Sequence, residues 1–463
     1  MTINYNSTMH FKLLLISSLI SIGVGQSFFN KTFGYELTEN SPRAMGLGYT
    51  TSLSSVGSYS LIANPANLIN PNKSISIFVQ SRIIRTNERR SFVLKDSFGD
   101  FLTNADYVAN KNSSTVNSFG ISINKNIGKN IISGGVAYVP LYSFSSSYRE
   151  EVRGSVSCED GVPCTRDALS GYHNFNSDGL LNGTSLGFSG KFLTSFANIK
   201  LGISVTKTNS VETSYNVFTE ILNDEVSNLS EIPNTNIINT FDSGTFSNFG
   251  FVIESNMGAK FSYLKRSQLK LNSQLDYLGG LYNQENGLLE YLTNIESPDT
   301  NFIELNYANA PFVIPQKTVF GLSYSPKALQ QTELFFEIDL LEYLDEILIS
   351  TSPLSDDVII PNIKLPVSKS YKFGIEYNML NETTLRAGLA YKESPIPGIN
   401  SESIITGGYS KTINQLTYDF GFSINQNEYY YPDIFPVEND PRPNYDKVKE
   451  SYMNISLAIQ YSF

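Results

Sequence analysis

Few side chains in this 463-residue sequence are equipped for covalent chemistry: it holds two histidines and two cysteines. His10 falls in an apolar leader and His173 follows the cysteine pair, so no Ser–His–acid arrangement can be placed on neighbouring elements. Cys158 and Cys164 stand in "SCEDGVPCT" with Gly and Pro between them to supply a turn. In an oxidising compartment that spacing predicts a loop-closing disulfide, with free thiols as the other reading. The stretch offers too few further ligands for a metal. The sequence thus predicts no enzyme, no metal and no cofactor. One charged residue stands out, Arg386 in "TTLRAGLAYK", where it alternates with apolar Leu385, Ala387 and Leu389. Facing a lumen, it would bind a ligand carboxylate in a bidentate contact or, as is commoner, be neutralised by acids such as Glu376, Asp419 or Glu337.

The elements that position such residues are strands. The chain ends "ESYMNISLAIQYSF", in which Met453, Ile455, Leu457, Ile459, Tyr461 and Phe463 alternate with polar or small residues. The same period of two recurs in "KSISIFVQS", "NSFGISINK", "NIKLGISVTK", "SYKFGIEYN" and "NQLTYDFGFSIN". Charged residues make up 17%, well below the quarter or so usual for soluble domains, while aromatics reach 13%. Mean hydropathy is −0.15, which excludes a helical membrane protein. Low charge with abundant Tyr, Phe, Ser, Asn and Gly suits strands wet on one face and greasy on the other. A net charge of −11 argues against a nucleic-acid partner.

The start of the chain predicts export. In "MHFKLLLISSLISIGVGQS", Lys12 precedes an apolar run from Leu13 to Val24, with small Gly23 and Gly25 before Gln26. Residues 1–25 read as a secretory signal peptide cleaved after Gly25. The connections between strands then separate a membrane barrel from a soluble sandwich. Tight polar turns near 125–130, 192–198, 378–384 and 410–415 alternate with long polar segments near 85–115, 149–180, 208–245, 279–313, 347–365 and 427–449. Short and long connections in alternation are the rhythm of an outer-membrane barrel. Counting strands predicts an all-β, 14-stranded antiparallel transmembrane barrel over residues 73–463, with both termini periplasmic. A monomer is expected, with outer-membrane lipid around it.

The segment "GYELTENSPRAMGLGYTTSLSSVGSYSLIANPANL" resembles the N-terminal hatch of the FadL/TodX family of outer-membrane transporters for long-chain fatty acids and hydrophobic compounds. Its "RAMGLG" and "NPANL" sit where that family carries Arg-Ala-x-Gly and Asn-Pro-Ala signatures; "VIPQKTVFGLSYSP", "TTLRAGLAYKESPIP" and the terminal strand follow in order. The resemblance implies a small hatch at 26–72 plugging the barrel, with Arg43, Gly46, Gly48, Asn64, Pro65 and Ala66 as its motif residues. It also implies substrate leaving sideways through the wall, and recognition of Phe463 by the barrel-assembly machinery. Asn64 and Pro65 would fix a turn, and Gly46 and Gly48 would permit close approach to the wall.

Two further sites follow from the residues themselves. The third strand, "ISGGVAYVPLYSFSSSY", contains Gly134, Gly135 and Pro140, and a mid-strand proline cannot donate to a ladder. Local unpairing at Val139, Pro140, Leu141 and Tyr142 would open the wall, where the family has a kinked strand; a bulge near the rim is the other reading. In the long loops, "VFTEILNDEVSNL" places Phe218, Ile221, Leu222, Val226 and Leu229 at helical spacing, and "GLLEYLTNI" does so for Leu288, Leu289, Leu292 and Ile295. Two such helices would form a hydrophobic groove or pack into a lid. The expected function is passive outer-membrane uptake of fatty acids or other hydrophobic small molecules. The alternative is a barrel serving protein interaction, such as a secretion-system shuttle. A lipid hydrolase lacks its histidine, and an aqueous porin would be obstructed by the hatch.

Overall fold

The computed structural model describes residues 34–38, 41–69, 74–153, 169–222, 234–281, 311–329, 331–345, 347–350, 359–395, 400–431 and 446–463. Fourteen strands form the wall. They are β1 Ile75–Lys95, β2 Phe101–Ile127, β3 Asn130–Ser143, β4 Leu180–Leu193, β5 Ala197–Thr208, β6 Thr245–Ser255 and β7 Ala259–Arg266. The circuit continues through β8 Gln316–Tyr324, β9 Thr332–Glu342, β10 Ser368–Asn378, β11 Thr383–Lys392, β12 Glu402–Ile413, β13 Leu416–Tyr431 and β14 Asp446–Ser462. Each strand pairs antiparallel with its sequence neighbours, and β14 returns to β1 from Ser76↔Ser462 to Ser91↔Lys447. Closure pairs every strand of the wall on both sides over at least part of its length, as hydrocarbon requires.

The barrel is inside-out. Phe188, Leu186, Phe119, Leu389 and Ile405 point outward and are 67%, 60%, 55%, 56% and 55% exposed, whereas inward-facing Arg82, Lys372 and Glu337 are buried. The apolar face of the terminal strand is therefore the outer face, directed toward lipid. No helix among the described residues is long and apolar enough to cross a membrane, which leaves crossing by strands untouched.

Tight turns lie where the sequence places them, with Gly128, Glu382 and Asn414 at positive φ. At the opposite rim the described parts of the expected long loops are largely ladder. The segment near 85–115 is one hairpin, β1 and β2, closed by a turn in which the Asp96 carboxylate accepts the Phe98 and Asp100 amides, both at 2.9 Å. Five strands, Ser146–Arg153, Leu169–Asp178, Val211–Ile221, Asn234–Phe241 and Ser273–Leu281, form a separate sheet at this rim. The amphipathic helix expected from Val217 is thus a strand up to Ile221, with Val217 opposite Phe175 and Phe218 opposite Asn174. Val211, Thr213, Tyr215 and Val217 are buried on one face, so β-type residues with two neighbours to pair prevail over a local helical spacing. Val226, Leu229, Leu288, Leu289, Leu292 and Ile295 lie outside the described residues, as do the leader and Cys158 and Cys164.

Candidate functional site

Residues 41–69 fold inside the barrel as two short helices and two 3-10 turns. Ser41 caps α1 (Pro42–Gly46), its hydroxyl accepting the Ala44 amide at 3.2 Å, with Pro42 at the first helical position. Asn64 caps the turn Pro65–Leu68 by accepting the Ala66 amide at 3.1 Å, and its side-chain NH2 donates to the Ser52 carbonyl at 2.9 Å. The wall is shaped to receive this plug. A Cβ on Gly388 would lie 2.2 Å from the Gly48 nitrogen, one on Gly374 2.6 Å from the Leu47 oxygen, and one on Gly421 2.5 Å from the Pro42 oxygen. Gly202 beneath Pro65 and Ala66, and Gly250 beneath Asn64, do the same on the other side. Gly48 has φ +67°, and a Cβ there would meet the Phe373 and Leu389 oxygens at 2.4 and 2.5 Å. Gly48→Ala is expected to leave a folded barrel with a loosened plug, read as faster amide exchange confined to residues 41–69.

Charge holds the same seat. Arg43 donates to both Glu376 oxygens, Nε at 2.9 Å and Nη2 at 2.8 Å. Arg386 bridges Glu376 and Asp419 at 2.7 and 2.9 Å, so its neutralising acids are these two and not Glu337. Burial works against the Arg43 charge, and Glu376 more than offsets it, so the pKa is raised above the ordinary guanidinium value. Glu337 instead accepts the Thr51 and Ser52 amides at 3.1 and 2.7 Å, at the start of α2 (Thr51–Ser54), and pairs with Lys372 at 3.1 Å.

The third strand parts from the second. β2 and β3 share register from Ile127↔Asn130 up to Phe119↔Tyr138 and no further. Beyond Tyr138, β3 stays with β4 to Ser143↔Leu180, with a bulge at Leu141 between Pro140↔Asn182 and Tyr142↔Leu181, and Val139 to Phe144 are buried. Its departing edge is taken by the strand Tyr35–Glu36, with Tyr35 opposite Ser143 and the Leu37 amide donating to the Leu141 carbonyl at 2.8 Å. The next backbone contact of β2 on that side is with the rim sheet at Asn112, whose side chain donates to the Ser147 carbonyl at 3.0 Å, while Val116 between them packs with Leu37, Ile84 and Leu180. Six residues of β2 lie between the two contacts, leaving an interval of roughly 20 Å along the strand at about 3.3 Å per residue. Gly134 and Gly135 lie below it in the paired part of β3, Gly135 under Leu68.

Apolar side chains line the interior behind this interval. Tyr142 and Phe144 pack edge-on against Phe312 with centroids 5.1 and 4.9 Å apart, and Phe144 stacks on Phe241 at 5.6 Å. The cluster runs on through Leu141 and Val139 to Leu61 and Leu68 of the plug. Val116 of β2 joins Leu37 and Ile84 in a second cluster at the opening. Elsewhere the inner face is mostly polar, so the oily stripe and the wall interval coincide. Of the groove residues, Phe218 is half-buried and Ile221 and Leu222 are exposed at the rim. Sequence reasoning missed Phe241, Phe312 and the seating glycines.

No family model matches the sequence, and no curated protein matches it. Among solved structures, a Pseudomonas aeruginosa FadL homologue superposes with a TM-score of 0.56 at 13% identity, covering 96% of this chain and all of that one. The toluene transporter TodX of Pseudomonas putida superposes with a TM-score of 0.52 at 12% identity, covering 93% and 100%. In architecture, the chain is a plugged 14-stranded barrel with the fold of FadL-type outer-membrane proteins.

Proposed function

We propose that this barrel passes hydrophobic small molecules, fatty acids or aromatic hydrocarbons, from outside the cell into the outer membrane, releasing them sideways between β2 and β3. The observation that carries the reading is the coincidence of a wall interval with an apolar interior stripe. A greasy solute gains nothing from a water-filled pore, whereas a dry path opening into bilayer removes it from water throughout. In this reading the long-loop rim faces outward, both termini are periplasmic, residues 26–72 form the hatch, and the exported monomer carries a Cys158–Cys164 staple. The FadL and TodX likeness in fold agrees with it.

Mass spectrometry of molecules retained by the full chain after purification in mild detergent tests the proposal, followed by displacement with labelled palmitate and toluene. Retained lipid-like or aromatic compounds that exchange with either probe are the expected result. Consistent absence of both, alongside a tightly bound protein, would overturn it in favour of the shuttle reading.

A further inference from the structure

Outward side chains change character along β1, where Ile75, Ile77, Val79 and Ile83 give way to Arg85, Asn87 and Arg89. Its neighbours change over adjoining rungs: on β14 Met453, opposite Arg85, is followed by Ser451, Lys449 and Lys447, and on β2 Phe119, opposite Val79, is followed by Asn117, Thr115, Ser113 and Lys111. Charge facing hydrocarbon is costly at mid-bilayer and tolerated at the interface, so the lipid edge lies near Ile83. Immediately beyond it, Arg85, Arg89, Lys111, Lys447 and Lys449 share one outer face of β2, β1 and β14. Arg89 stands directly opposite Lys449, an arrangement that is destabilising for like charges.

The acids within reach do not balance them. Glu428 lies 2.5 Å from Lys447 and 3.8 Å from Lys449, and Asp106 lies 3.5 Å from Arg89. Arg85 and Lys111 are exposed and in no ion pair among the described residues. Among the described residues, five cations against two acids leave an excess of three positive charges on this face, in a chain whose net charge is −11. Outward lysines elsewhere are solitary: Lys207 faces Thr184 and Thr245, and Lys265 faces Phe249 and Thr318.

We propose that this face binds the phosphate groups of a phosphorylated glycolipid of the outer leaflet. The placement rests on the outward orientation of the long-loop rim given above. At the rung just past the lipid edge, side chains lie among headgroups. Guanidinium forks match phosphate oxygens in pairs, and the lysines add point charge. Arg85 sits opposite Ser113, at the upper part of the wall interval, so the bound lipid stands beside the opening.

The test uses the full chain in detergent with lipid A, its dephosphorylated form, or phosphatidylglycerol, and native mass spectrometry to read retention. Retention of lipid A above both other lipids is expected. Each cation removed should weaken retention about fivefold, so the combined Arg85→Ser, Arg89→Ser, Lys449→Ser variant should lose on the order of a hundredfold. A Lys207→Ser, Lys265→Ser control should be unchanged. Unheated electrophoretic mobility confirms that each barrel is folded; if the triple variant is not, Arg85→Ser and Lys111→Ser singly carry the test. Equal retention by the variant, equal loss in the control, or equal binding of phosphatidylglycerol would overturn the proposal. Because the readout needs no transported solute, it stands or falls apart from uptake.

Discussion

Arg43→Ala should unseat the plug while leaving the barrel intact. Arg43 is the bidentate partner of Glu376, and removing one member of a buried pair costs about 3–5 kcal/mol because the other charge stays buried. Arg386 remains beside Glu376, which places the effect near the lower end. About 3 kcal/mol corresponds to roughly a hundredfold rise in the population with the α1 region released. Ion conductance across planar bilayers should rise, and protease should reach residues 41–69. Pairing Arg43→Ala with Glu376→Gln should recover part of the loss, since the stranded charge is then gone. Unchanged conductance and unchanged protection in Arg43→Ala would show that packing against the wall glycines alone holds the plug.

Closing the wall should have the larger functional effect. Pro140 offers no amide to a ladder, and the bulge at Leu141 directs the strand inward. Replacing Pro140 with valine and deleting Leu141 restores an even alternation from Tyr138 toward Ser143, letting β3 continue along β2. Uptake of labelled palmitate and toluene should then fall to that of cells lacking the protein, with a barrel that still migrates as folded. A sealed variant that transports normally would mean that solute leaves by another route, and the lateral reading would be wrong.

How far the sequence carried depends on where each residue sits relative to lipid. Outward positions within the bilayer must be apolar, so Phe420, Phe422 and Ile424 declare their strand plainly. Past the lipid edge that demand vanishes while backbone pairing continues. Arg85 to Lys95 and Phe101 to Ser113 therefore read as polar loop although they form ladder. The kink at Pro140 was legible because proline violates a strand rule by itself. Phe312 and Phe241 were not, since nothing local says that distant loops bring them onto Phe144. The seating glycines had a signal that went unread. In "SFGIS", "SLGFS", "KLGIS", "NFGFV", "VFGLS", "KFGIE" and "DFGFS" a glycine stands between two apolar residues, and every one of those glycines faces inward against the plug. A wet-face position held at Gly in so many strands marks a surface that something must approach closely.

The distribution of those glycines bears on how the molecule is assembled. Pro42 rests on Gly421 of the penultimate strand, Asn64 on Gly250 of the sixth, and Leu68 lies against Gly135 of the third. This segment, which precedes every strand of the wall, thus has no place to settle until strands far apart in the sequence are already side by side. Contacts of such separation form late. Maturation should therefore finish from the inside, with a hollow cylinder completed before its stopper is inserted.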